Sequence, residues 1–270
     1  MDFHSETLSI EVEGHVATLW LDRPKSLNAI SMDMWQDFVT AVDAIAADES
    51  IRAVVVAGRG KSFCVGLDLA SLGNVPDLST ARGCLQQLEH TQICQKGITA
   101  IANCPVPVIA AIHSHCLGAG VDLATACDIR LASAEATFGV RETKIGIVAD
   151  VGTLQRLPAV VGAGHVAELA YTGRDIGAAR AEKIGLVNDV YADFDATYAA
   201  AMDLAKEIAA NAPLAVRGTK FMLQQGEDMT TEQSLLLNGL WTMVTSINSN
   251  DLQEAMKAFM EKRPANFTGS

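Results

Sequence analysis

Short runs of valine, isoleucine and alanine alternate with longer helix-period segments from residue 10 to about residue 190, and beyond that point only the helical period remains. A strand repeats every two residues and a helix every ~3.6, so this order constrains the chain to a mixed core followed by an all-helical part. Residues 10–21 read as a hairpin, two alternating runs around Gly14. Residues 31–47 place Met34, Phe38, Ala41, Val42 and Ile45 on one helix face. Residues 53–57 and 106–112 read as buried strands, with a helix over 81–103 between them that Pro105 and Pro107 stop. Gly118 and Gly120 open a short helix, and 128–132 is strand-like. Helices follow over 192–210, 213–225, 230–246 and 251–262. The expected class is α/β, with residues 1–191 as the core that carries the site and 192–270 as a helical region.

Composition narrows what such a fold can serve. The chain has 270 residues, 49% hydrophobic, enough for a full core. Its net charge of −12 argues against nucleic-acid partners, whose phosphates bind basic surfaces. The first residues lack the basic and apolar regions of a signal peptide, and the last four are no peroxisomal address. The longest apolar stretch, 106–127, is broken by His113, Ser114, His115 and Asp122, so no membrane span is expected. The six cysteines, at 64, 84, 94, 104, 116 and 127, form no C-x-x-C pair, which fits a reducing cytoplasm.

Three carboxylates are candidates for chemistry. Asp122 lies in the apolar run Gly120-Val121-Asp122-Leu123-Ala124, where a buried charge is costly unless it is bound or used. Its structural alternative is a charge placed on a helix N-terminus. Glu142 could equally be a surface acid pairing with Arg141 or Lys144. Asp150 precedes a helical run and reads as an N-cap. Two glycine turns, at 62–69 and at 118–120, could each start a helix whose free N–H groups converge on an oxyanion. On one strand His113 and His115 would share a face, but no further Cys or His cluster completes a metal site, and a packed strand is the expectation. Phosphate-loop, dinucleotide-binding and nucleophile-elbow motifs are absent from the sequence.

Taken together, Arg23-Pro24-Lys25-Ser26-Leu27-Asn28-Ala29, Phe63-Cys64-Val65-Gly66-Leu67-Asp68-Leu69, Gly118-Ala119-Gly120-Val121-Asp122 and Ala126-Cys127-Asp128-Ile129-Arg130, in this order, resemble the enoyl-CoA hydratase/isomerase (crotonase) superfamily. Residues 258–263 resemble its last helix. The resemblance implies a spiral of ββα units and a C-terminal region that builds homotrimers, often paired into hexamers. It implies an acyl-CoA thioester substrate, with CoA near Lys25, Ser26 and Leu27, and no separate cofactor or metal. It implies an oxyanion hole from the backbone N–H groups of Leu67 and Ala119. Many relatives have glycine where Ala119 stands, and often a basic residue where Pro264 stands. Hydratases of the family carry glutamates at the positions of Asp122 and Glu142. The run Asp150-Val151-Gly152-Thr153-Leu154-Gln155-Arg156-Leu157-Pro158 is instead similar to the dienoyl-CoA isomerases, whose three acidic positions match Asp122, Glu142 and Asp150. That implies migration of double bonds from 3,5-dienoyl-CoA to 2,4-dienoyl-CoA in β-oxidation, with enoyl-CoA hydration as the alternative and a non-catalytic or RNA-binding role as the remoter one. Residues 70–100 are expected to line the acyl pocket.

Overall fold

The computed structural model describes residues 3–70, 75–226 and 228–270. In chain order the strands and helices are β1 (Phe3–His4), β2 (Leu8–Glu13), β3 (Val16–Leu21), α1 (Met32–Ala47), β4 (Ala53–Gly58), α2 (Ala81–Ala102), β5 (Val108–Ile112), β6 (His115–Leu117), α3 (Ala119–Ala126), β7 (Ile129–Ser133), β8 (Thr137–Gly139), α4 (Thr153–Val161), α5 (Ala163–Thr172), β9 (Ile176–Gly177), α6 (Ala178–Lys183), β10 (Asp189–Tyr191), α7 (Phe194–Ala209), α8 (Pro213–Gly226), α9 (Thr231–Trp241) and α10 (Asn250–Glu261).

Among the described residues the main sheet runs β1-β2-β3-β4-β5-β7-β10, antiparallel through its first three strands and parallel from β3 onward. A smaller sheet joins β6, β8 and β9. The chain thus repeats one step: a strand in the large sheet, a strand in the small one, then a helix, as in β5-β6-α3. This is the expected spiral of ββα units.

The apolar runs are continuous because both faces of the parallel strands are covered. Val54, Val56, Val108, Ala110 and Ile112 face one cluster with Met34, Trp35, Phe38, Ala41, Val42 and Ile45 of α1. Their neighbours Ala53, Val55, Ala57, Ile109 and Ala111 face Ala201, Met202, Ala205 and Ala209 of α7. Each large side chain so enclosed contributes roughly 1.5–3 kcal/mol. α1 and α2 meet at backbone distance, for a Cβ on Gly97 would lie 2.6 Å from the carbonyl oxygen of Trp35.

The C-terminal helices are tied back to the core. Lys220 of α8, only 6% exposed, pairs with Asp128 at 2.7 Å and donates to the Val106 carbonyl at 3.0 Å. The helix expected over 230–246 ends at Trp241 and continues as a π-turn, Thr242–Ser246, next to the stacking of Trp241 on Phe221 at 5.0 Å between centroids. No helix of the described residues is long and apolar enough to cross a membrane.

Gly97→Ala drives a methyl group into the α1 backbone. Overpacking of this kind costs about 1–3 kcal/mol, and a urea melt of the variant should show that loss in its midpoint with an unchanged slope.

Candidate active site

The site forms where the parallel strands end. After β4 the chain turns and zips onto β6: Cys64 N–H donates to the His115 carbonyl at 2.9 Å, and Leu117 N–H to the Cys64 carbonyl at 3.0 Å. Three residues on, Leu67 forms a parallel bridge with Ile30. The bonds of that bridge belong to its neighbours, Ile30 N–H to the Gly66 carbonyl at 2.8 Å and Asp68 N–H to the Ile30 carbonyl at 3.0 Å. The N–H of Leu67 therefore points the other way. Gly66 makes the turn at a φ of 101°, and a Cβ there would meet the Leu117 carbonyl at 2.8 Å and Ala119 N at 3.5 Å. Ala119 opens α3, where a first-turn N–H has no intrahelical acceptor. Among the described residues neither the Leu67 nor the Ala119 N–H has a backbone acceptor. Ala119 is helical, a conformation that suits alanine as well as glycine. The turn at 62–69 reaches 3-10 helical residues at Leu69 and Ala70, and the Leu67 N–H before them is freed by a strand bridge.

Glu142 reaches the same place from the other sheet. β8 lies parallel to β6, Gly118 N–H donates to the Gly139 carbonyl at 2.8 Å, and a 3-10 turn, Glu142–Ile145, follows. A Cβ on Gly118 would stand 3.4 Å from Glu142 Oε1, so the carboxylate lies over the residue preceding Ala119. Its Oε2 is enclosed and unpartnered among the described residues. Arg141 does not pair with it, because Arg141 Nε donates to Asp175 at 2.8 Å. Burial pushes the Glu142 carboxyl above its ordinary range, and the charges of Asp122 and Asp150 add to that.

Asp122, in the first turn of α3, is 1% exposed. Its Oδ1 accepts the N–H of Thr153, the first residue of α4, in a short hydrogen bond. The cap of α4 is thus supplied across the site. Asp150, read from sequence as the cap, does not provide it: the N-cap residue is Gly152, and no side chain bonds there from its own segment. The Asp150 carboxylate is exposed and makes no hydrogen bond or ion pair among the described residues, while its carbonyl accepts from Gln95 Nε2 of α2 at 2.7 Å. Burial raises the Asp122 carboxyl. The bonds from Thr153 and the Arg156 charge oppose that rise, and the Asp150 charge adds to it.

The segment quoted for CoA is held beside these donors. Lys25 and Ser26 end a 3-10 turn, Pro24–Ser26, and Leu27 follows with a positive φ; all three are exposed. The fully buried Asn28 fixes that turn, accepting from Arg23 N–H at 2.9 Å and donating to the Arg59 and Ser62 carbonyls at 3.0 and 2.8 Å. Arg23 pairs with Asp68 at 2.9 Å, one residue beyond Leu67. Sequence reasoning gave Asn28, Arg23 and Asp68 no role of their own, although all three stand inside the quoted motifs. Near the C-terminus Arg263, next to Pro264, is engaged by Glu254 at 2.6 Å and Glu261 at 2.7 Å.

A family model described as Enoyl-CoA hydratase/isomerase matches residues 11–270. The chain belongs to the enoyl-CoA hydratase/isomerase family. A mitochondrial Delta(3,5)-Delta(2,4)-dienoyl-CoA isomerase of Dictyostelium discoideum is 40% identical over 92% of this chain and 86% of its own length. A peroxisomal one of Arabidopsis thaliana is 38% identical over 97% of this chain and 96% of its own. Among solved structures, an enoyl-CoA hydratase from Bacillus anthracis superposes with a TM-score of 0.91 at 30% identity, covering 98% of this chain and all of that one. Those two isomerases are mitochondrial and peroxisomal, whereas the sequence suggested the cytoplasm for this chain.

The two histidines do not share a strand. β5 ends before His113, Ser114 turns with a φ of 53°, and β6 starts at His115. His113 packs on Phe194 with centroids 4.2 Å apart and bonds the Gly60 carbonyl at 3.2 Å. Among the described residues no cluster of three metal-ligating side chains occurs.

Asp122→Asn keeps an oxygen for Thr153 and removes a buried charge. The folded-state pKa of Asp122 is raised, so its destabilising effect is absent below the unfolded value of 3.8 and grows as pH rises through the folded value. At neutral pH the variant should melt higher, by about 1 kcal/mol or ~2–4 °C, and the difference should vanish in acid.

Proposed function

We propose that this protein shifts the double bonds of a 3,5-dienoyl-CoA to give the 2,4-dienoyl-CoA, as a step of fatty-acid β-oxidation. The observation that carries the reading is the Asp150 carboxylate: it has no hydrogen bond or ion pair among the described residues, its charge acts on Glu142, and Asp122 has relieved it of the cap. A second acid free to move a proton is what distinguishes double-bond migration from the removal of a single proton next to the thioester.

The chemistry follows from the groups present. The thioester carbonyl oxygen accepts the N–H groups of Leu67 and Ala119. Glu142, beside that position, takes a proton from C2, and the electron pair delocalises onto the carbonyl oxygen and along the diene. Asp150 gives a proton to C6, the bond between C2 and C3 becomes double, and the carbonyl re-forms. Glu142 leaves the cycle protonated and Asp150 ionised, and exchange with solvent resets them. One group must start charged and the other neutral, which a crowd of three carboxylates favours because they resist carrying three charges at once. The electron count of the substrate is unchanged, so the reading calls for no redox cofactor. CoA lies along Lys25, Ser26 and Leu27, with Lys25 free of any ion pair among the described residues.

Hydration is the second reading, favoured by the superposable structure, an enoyl-CoA hydratase. It needs two carboxylates around a water, and here Asp122 is committed to the Thr153 N–H. Turnover of a 3,5-dienoyl-CoA, followed by the ultraviolet absorbance of the conjugated product, tests the isomerase reading. Appearance of 3-hydroxy product from crotonyl-CoA at a comparable rate would favour hydration.

We also propose assembly into trimers or hexamers through residues 192–270. The support is an uncovered apolar surface: Leu235, Leu236 and Leu240 on α9 are 65%, 66% and 56% exposed, and Phe259 on α10 is 85% exposed. The six cysteines, all free thiols, fit a reducing compartment such as the cytoplasm.

Two outcomes check the proton assignment. In deuterated water Asp150→Asn should wash deuterium into C2 without isomerising, and Glu142→Gln should lose both; the opposite pattern reverses the two roles. Because Glu142 must be ionised to act and its pKa is raised above 4.5, kcat/KM should fall on the acid side through a midpoint above the ordinary carboxylate range.

A further inference from the structure

One charged side chain beside the carboxylates has no task in this mechanism. Arg156, on α4, is half-buried, and its Nη2 donates to Thr99 Oγ1 of α2 at 3.1 Å. Its Nη1 is enclosed and has no hydrogen-bond partner among the described residues. That nitrogen lies against Gly152, where any Cβ would overlap it, and Gly152 has a φ of 136°. Glycine is thus required there both by the backbone and by the guanidinium. The next residue is Thr153, whose N–H is held by Asp122. Guanidinium and carboxylate therefore meet at the Gly152–Thr153 peptide, although they form no direct ion pair.

We propose that Arg156 is a positioning residue of the isomerase, the counter-charge that keeps the buried Asp122 carboxylate ionised while Glu142 and Asp150 exchange protons with substrate. The proposal rests on the isomerase reading above. The charged and titratable groups around it are accounted for. α3 contributes Asp122, the turn after β8 contributes Glu142, and the loop before α4 contributes Asp150. α2 contributes Cys94, a half-buried thiol that burial pushes up to about 11 and so leaves neutral. Across a cavity of about 700 Å³ that Arg156 also lines, Lys220 is matched by Asp128 at 2.7 Å. On the same cavity Arg130 is held by the Leu186 and Cys127 carbonyls at 2.8 and 2.6 Å. Both of those cations are engaged by groups other than the three carboxylates.

The electrostatic consequences have a definite sign. Burial raises the Asp122 carboxyl and the Arg156 charge opposes that rise. Without the guanidinium, Asp122 takes up a proton more readily. Glu142, whose own pKa is raised by burial first and then by the Asp122 and Asp150 charges, loses one of those neighbours. The Arg156 charge acts on the Asp122 carboxyl, and the Asp122 charge acts on Glu142, so the proposed effect passes through Asp122.

The test is the pH profile of kcat/KM for Arg156→Gln and Arg156→Lys. In the glutamine variant the acid limb should move to lower pH by about half a unit to one unit, with kcat falling more than KM rises. In the lysine variant, which keeps the charge, the limb should return toward its original position. Thr99→Val, which removes the anchor and leaves the charge, should lower Tm without moving the limb. If Arg156→Gln lowers Tm and leaves the limb where it was, Arg156 is a packing strap and the proposal falls. Should the glutamine variant not fold, Asp122→Asn must move the limb in the same direction, and an unmoved limb there overturns the proposal equally. A carboxyl-carbon NMR titration of Glu142, assigned by its loss in Glu142→Gln, needs no turnover. It should show the same shift in Arg156→Gln. If wild type fails to convert a dienoyl-CoA, the isomerase reading fails by itself, and this titration still decides whether the counter-charge acts.

Discussion

Two isolated backbone bridges, Ile30 to Leu67 and Cys64 to Cys116, hold the edge of the sheet in the shape that everything else uses. Each joins segments distant in sequence, and among the described residues the Leu67 and Ala119 N–H groups have no backbone acceptor, with Gly66 lying close to Ala119 N. Buried N–H groups are seldom left so, and a fold that leaves two of them adjacent has an acceptor's place built into it. The close fit of the surrounding chain serves this arrangement. Gly120 shows it: a Cβ there would lie 2.7 Å from the Cys64 carbonyl, so α3 could not settle against the bridge with any larger residue.

The carboxylates divide their labour according to burial. Asp122, the deepest, is spent on structure: it holds the first N–H of α4. Glu142 is partly enclosed, with one oxygen toward Gly118 and the other unpartnered. Asp150 is open at the mouth. The three therefore stand in unlike surroundings, and burial pushes the Asp122 and Glu142 carboxyls up. Their differences arise from where the backbone puts them rather than from residue type, since two of the three are aspartates.

Much of the architecture was legible because it is periodic. The hairpin about Gly14, the core face of α1, the buried runs of β4 and β5 and the helical C-terminal part all follow from spacing, and each appears in place. What spacing could not show was partnership across the chain. Asp150 has the local look of an N-cap, but the cap arrives from Asp122, 31 residues away. Glu142 has Arg141 beside it, yet Arg141 turns to Asp175. His113 and His115 have strand spacing, yet the left-handed Ser114 separates them. Leu67 follows a glycine as a helix start would, and its free N–H comes from a bridge to Ile30. The candidate residues were picked out through whole motifs because the motifs carry these long-range pairings implicitly, which no single residue does. The acyl-pocket expectation for residues 70–100 falls partly outside the described residues, at 71–74.

The two N–H groups proposed to hold the thioester carbonyl belong to the main chain, and that has a consequence for heredity. No codon specifies an amide N–H. A mutation at 67 or 119 alters bulk and leaves the hydrogen bond in being, unless it introduces proline, the residue that has no such group. The proposed grip on the thioester would therefore be transmitted with the fold itself and be nearly immune to drift at its own positions. The acids have no such protection. Each is a single side chain that one base change can convert, so lineages sharing this backbone are free to explore new proton chemistry while the carbonyl remains held.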